Sequence, residues 1–176
     1  MNTIRLGGLS VSESSYKKAT AIVESKPQTG KMTTEDVLDS LRQMMPGWNI
    51  STSSDNWGEG FRNIEISRDI LKEMAEDPAA MKKYKALLLD LEDTVPALEE
   101  WARQNEGQSI EFGITIDAGG NVTSLAVVRT LLGSEARTFF DLSDDKLSWS
   151  ETVIQKLDAL TKGDTDKADG SISWLA

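Results

Sequence analysis

Carboxylates are the side chains in this sequence with the widest scope for chemistry. There are 29 Asp and Glu against 19 Lys and Arg, giving a net charge of -10, and neither histidine nor cysteine occurs. Without cysteine there are no disulfides, thiolate nucleophiles or sulfur-ligated zinc, and without histidine the commonest general base and metal ligand is gone. Serine-histidine triads, cysteine proteases and histidine-based zinc hydrolases are thereby excluded.

Three arrangements of carboxylates bear consideration. Glu65, Glu111 and Asp117 fall on or beside predicted strands and could pair for acid-base work or metal binding if the fold brought them together; isolated strand carboxylates more often face water. Asp164, Asp166, Asp169 and Gly170 suggest a calcium loop, but Ala168 stands where that pattern wants an acid, and Ala176 stands six residues after the glycine, where it wants a glutamate. The third set, Asp90, Glu92, Asp93, Glu99 and Glu100, lies on a predicted helix and has the character of an acidic binding face. Asp117-Ala118-Gly119-Gly120-Asn121 is glycine-rich but joins strand to strand, so it lacks the helix N-terminus that a phosphate would use.

The elements that would position these groups follow from apolar spacing. Met81, Tyr84, Leu88, Leu91, Val95 and Leu98 recur at helical intervals and define a buried stripe, with the acids turned outward. Pro96 would clash with the carbonyl of Glu92 in a continuous helix, so a break is expected at Thr94-Val95, with two carboxylate groups held at an angle on either side. Thr33, Ser67 and Asp77-Pro78 are expected helix starts, and Pro46-Gly47 and Gly107 expected stops. Trp48, Ile50 and Thr52 alternate, as do Phe61, Ile64 and Ile66 less regularly, which predicts a hairpin with a long loop. Ile110, Phe112, Ile114 and Ile116 alternate without fault and lead through the Asp117–Asn121 turn into a second hairpin. A last helix is expected from Ser143 or Ser148 to Gly163.

The predicted architecture is α+β: about four antiparallel strands in two hairpins, packed by several amphipathic helices. A flexible N-terminal arm (1–31), a single domain (32–162) and an acidic C-terminal tail (163–176) complete it. No apolar run approaches the roughly 20 residues needed to cross a bilayer, and a cytoplasmic location is expected. Among the five tryptophans, Trp48, Trp101 and Trp149 fall on apolar faces and are expected in the core. Trp57, in a polar loop, and Trp174 are candidate partner anchors.

The run Ile66-Ser67 through Ile70-Leu71-Lys72-Glu73-Met74-Ala75-Glu76-Asp77-Pro78, followed by Asp117 and Gly120-Asn121-Val122, resembles a family of uncharacterised bacterial proteins from gut Firmicutes and their mobile elements. The resemblance covers about a third of the chain and implies architecture and origin, not a mechanism. In character only, with no motif to carry it, the chain is also similar to phage anti-CRISPR inhibitors of Cas9.

Charge and resemblance together lead to one functional expectation. It is a non-enzymatic binding protein, without cofactor or metal, that inhibits a basic nucleic-acid-handling effector such as guide-loaded Cas9 by presenting Asp90, Glu92, Asp93, Glu99, Glu100 and Trp57. An excess of negative charge repels bare phosphate backbones and anionic membranes, so neither nucleic acid nor lipid is an expected direct partner. The alternative is a structural or adaptor protein of the uncharacterised family, docking through its N-terminal arm and its Trp174 tail.

Overall fold

The computed structural model describes residues 3–6, 9–25, 30–105, 108–130, 135–141 and 173–175, together with Ile154, Gln155 and Asp158. The chain is α+β. Its elements are β1 (Thr3–Leu6), β2 (Leu9–Ser12), α1 (Glu13–Ser25), α2 (Thr34–Met44), β3 (Asn49–Ser51), β4 (Gly60–Ile66), α3 (Arg68–Glu76), α4 (Pro78–Gln104), β5 (Gln108–Ile116), β6 (Val122–Thr130), β7 (Glu135–Asp141) and β8 (Ser173–Leu175).

Helix starts are decided locally. Thr33 and Asp36 form a reciprocal capping box, in which the Thr33 hydroxyl accepts from the Asp36 N–H at 3.2 Å and the Thr33 N–H donates to the Asp36 carboxylate at 2.8 Å. Ser67 accepts from the Asp69 N–H, and Asp77 from the Ala79 N–H with Pro78 at the first helical position.

Helix α4 departs from expectation by running unbroken through Pro96. The physical reason lies in which side the proline occupies. Pro96 and Glu92 are both exposed, so the carbonyl that loses its intrahelical donor reaches water instead of the core. On the opposite side Leu88, Leu91, Val95 and Leu98 are at most 1 % exposed and hold the helix together by burial.

Among the described residues the main sheet has six strands in the order β3-β4-β5-β6-β7-β8. From β5 onward every pair is antiparallel, and the β5–β6 hairpin matches Ile116 with Val122 across the expected turn. The first predicted hairpin is corrected: β3 runs parallel to β4, and β4 parallel to β5 across the α3–α4 crossover. Alternation cannot encode strand direction. A parallel partner usually needs a long crossover, but β3 has three residues, so residues 52–59 suffice to return the chain to the end from which it re-enters the sheet.

The uneven spacing of Phe61, Ile64 and Ile66 has a structural cause. The register shifts between Gly60 and Asn63, where two residues of β4 oppose one of β5. This bulge puts Phe61 on the face of Phe112, with ring centroids 6.4 Å apart, ahead of Ile64 and Ile66. That face, with Phe112, Ile114 and Ile116 each 0 % exposed, is the core floor beneath the helices.

Residues 3–6 and 9–25 correct the expectation of a mobile arm. β1 and β2 pair as an antiparallel ribbon, and α1 lies along α4 on the side away from the sheet, with Val11 of β2 and Ala19 of α1 buried. Helix α4 is therefore covered on two sides, and Ala86 is closed off completely. At the other end of the chain, Ser173–Leu175 are a strand with Trp174 opposite Ala136. Of the predicted last helix, Ile154, Gln155 and Asp158 are described and helical; the rest of that helix, Trp149 and residues 163–172 lie outside the described residues.

Candidate functional site

Four of the five predicted helix carboxylates share one surface. Glu92, Asp93, Glu99 and Glu100 stand at four and three residues before and three and four residues after Pro96, which on a helix makes all four its immediate neighbours. Because the helix is continuous, they form one acidic ring round an exposed apolar proline; they are not two groups set at an angle.

Their ion pairs are peripheral. Glu99 accepts from Arg62 of β4 at 2.8 Å, Asp93 lies 3.7 Å from Lys18 of α1, and Glu100 pairs with Arg103 and accepts from Gln104. The side chains of Lys18 and Asp93 are 57 % and 54 % exposed, and those of Arg62 and Glu99 45 % and 51 %. Pairs this exposed contribute about 0–1 kcal/mol each, so an incoming cation can exchange with them at little cost. Glu92 is exposed and has no ion pair among the described residues.

Asp90 does something different. Its carboxylate accepts from the Ser12 N–H and the Ser15 hydroxyl, both at 3.1 Å, while Ser12 in turn accepts from the Ser15 N–H at the start of α1. It is half-buried and ties the N-terminal unit to α4. Nothing in the sequence signals this bond, whose partners lie 75 and 78 positions apart.

Trp57 is remote from the acidic ring and belongs to the opposite face of the sheet. Its ring lies over Gly113 of β5, where a Cβ would sit 2.6–2.8 Å from three ring carbons. Asn63, 3 % exposed, secures the loop by taking the Gly58 N–H at 2.9 Å and donating to the Gly58 carbonyl at 2.8 Å. Trp48 and Trp101 are core residues, and the Trp101 indole N–H donates to Asp158 at 2.7 Å.

The strand carboxylates do not converge. Glu65 stands beside Thr115 in the register and Glu111 beside Gly60, four residues away along β5, or about 13 Å. Asp117 is committed to its own turn, accepting from the N–H groups of Gly119 and Asn121 and from the Asn121 amide, and these donors hold its carboxyl below the usual range. Among the described residues no group of three or more acids is placed to hold a metal ion.

One groove was not foreseen. A cavity of about 550 Å³ opens between the N-terminal ribbon and the α3–α4 corner, lined by Arg5, Tyr16, Glu73, Asp77, Lys82 and Lys83 among others. Its walls come from segments some 70 residues apart, a juxtaposition that local patterning cannot reveal.

These features define the chain as an α+β protein built on a mixed sheet, with an acidic helix face as its most distinctive surface. The chain belongs to a family of proteins of unknown function, DUF6033, whose profile matches residues 51–146, from the end of β3 to just beyond β7. No curated protein and no solved structure matches it. Among the described residues no helix is long and apolar enough to cross a membrane.

Proposed function

We propose that the chain works without catalysis, as an acidic binding protein that docks the Pro96 face of α4 onto a basic surface of a nucleic-acid-handling protein. The observation that supports this reading is the ring of Glu92, Asp93, Glu99 and Glu100 round an exposed proline, on a chain of net charge -10. Negative potential concentrated on one face accelerates encounter with a basic groove and orients the complex. The proline contributes a flat apolar centre, and the Glu92 carbonyl beside it is relieved of its helical donor and open to a lysine or arginine.

A Cas9-type effector with its guide RNA is the partner we propose, and a bacterial or mobile-element source in the Firmicutes the setting. The test is co-purification with guide-loaded Cas9, followed by DNA binding and cleavage in the presence of the chain. Retention of the complex and reduced cleavage are expected at low salt. Failure to co-purify, together with unchanged cleavage, would eliminate Cas9 as the partner.

A further inference from the structure

The groove between the N-terminal ribbon and the α3–α4 corner lies about 20 Å or more along α4 from Pro96, so it is a surface apart from the acidic ring. Its walls belong to four elements, β1, α1, α3 and α4, and its volume of about 550 Å³ is that of a small-molecule site. The N-terminal wall is firmly packed, with Val11, Ser15 and Ala19 at most 1 % exposed, so the groove exists before any ligand arrives.

Charge decides what it holds. Of the charged side chains lining it, Lys82 is taken up by Glu24 at 2.8 Å and the Asp77 carboxylate by the Ala79 N–H at 2.8 Å, while Arg5 of β1 brings a further cation. Glu73 and Lys83 make no ion pair with any described residue, nor with each other. Both stand beside Tyr84: the Lys83 ammonium lies 4.7 Å from the ring centroid, and burial and then the charge of Glu73 push the phenol up. Opposite charges that share a groove without closing on each other leave one donor and one acceptor for a ligand carrying both signs.

We propose that the groove binds a short peptide with free termini, its ammonium at Glu73, its carboxylate at Lys83 and an apolar side chain against Leu6, Tyr16 and Pro78. A zwitterion fits where either ion alone does not. A simple anion meets Glu73 and the field of a chain of net charge -10, and a simple cation meets Lys83. The zwitterion carries no net charge to be repelled, and each of its ends exchanges hydration for a charge-assisted hydrogen bond. Leu6 and Tyr16 are only partly buried, which leaves apolar surface for the side chain to cover.

Titration calorimetry of the full chain with leucyl-leucine is the test. A dissociation constant of about 0.1–1 mM is expected for a ligand of this size. N-acetyl-leucyl-leucine, which lacks the ammonium, and leucyl-leucine amide, which lacks the carboxylate, should each bind about fivefold more weakly. Glu73→Gln should erase the difference between leucyl-leucine and its acetylated form alone, and Lys83→Met the difference between leucyl-leucine and its amide alone. Ligand-induced amide shifts in nuclear magnetic resonance should gather at residues 5–6, 16 and 73–83. Absence of leucyl-leucine binding at about 10 mM, equal affinity for the three peptides, equal weakening of all three in either variant, or shifts confined to other parts of the chain would each overturn the proposal. None of these outcomes depends on the partner of the acidic ring.

Discussion

The Trp57 ring packs against Gly113, two residues 56 positions apart, and a methyl group on Gly113 would stand 2.6 Å from the nearest ring carbon. The glycine is what lets a loop tryptophan roof the outer face of the sheet. Gly113→Ala should therefore destabilise the protein by about 1–3 kcal/mol, the usual cost of overpacking. In a Trp57→Ala background the same substitution should cost much less. A double-mutant cycle by urea denaturation measures the coupling, which should exceed about 0.5 kcal/mol.

Gly120 adopts φ +77°, and a Cβ there would meet the Tyr84 hydroxyl at 2.8 Å. Gly120→Ala combines left-handed backbone strain with a clash, and a loss of more than about 1 kcal/mol is expected. Tyr84→Phe should relieve only the clash. Thermal unfolding of the single and double variants should show partial recovery.

Burial, reinforced by Glu73 and Asp117, pushes the Tyr84 hydroxyl up from 10.0 to about 12. The fold thus favours the neutral phenol. Its contribution is intact below pH 10 and is lost as pH rises through about 12. Denaturation between pH 9 and pH 12 should show this decline, and Tyr84→Phe should flatten it.

On the acidic side the direction reverses. Thr33 holds Asp36, and Asn121 holds Asp117, below the ordinary 3.8 by hydrogen bonding to the charged form. Their contribution is present above the unfolded value and is lost as pH falls through the lowered one. The Asp36→Asn and Asp117→Asn variants should each lose less stability than the parent between pH 5 and pH 2.

Charge reversal separates the acidic ring from Asp90. Replacing Glu92, Glu99 and Glu100 with Lys should weaken binding to a basic partner at least tenfold at low salt, with a smaller loss at high salt and an unchanged melting temperature. Asp90→Lys should instead lower stability, since it leaves the Ser12 N–H and Ser15 hydroxyl without their acceptor. Titration calorimetry at two salt concentrations, beside circular dichroism melts, distinguishes these outcomes.

Much of the fold was legible because its signals are local. Thr33, Ser67 and Asp77 cap helices through partners two or three residues away, and β5 alternates so regularly that its hairpin with β6 could be read directly. Even the fault in β4 carried information, since the uneven spacing of Phe61 and Ile64 marks the bulge. The acidic site was half legible: helical spacing gathers Glu92, Asp93, Glu99 and Glu100, but cannot tell that Asp90 turns aside to Ser12 and Ser15. Trp57 looked unclaimed because its neighbour in space, Gly113, has no side chain to announce the contact.

Sequence alone determined the charge, the exclusion of histidine and cysteine chemistry, and the stripe by which α4 meets the sheet, all properties of composition or of neighbours within one or two turns. Tertiary structure decided the parallel entry of β3, the continuity of α4 through Pro96 and the docking of α1. Each depends on groups far apart in the chain: Trp57 with Gly113, the buried leucines of α4 with the strands below, and Asp90 with Ser12 and Ser15. Period and propensity describe what a segment prefers, whereas burial and hydrogen bonding between distant segments select which preference survives, even against the penalty of a proline within a helix.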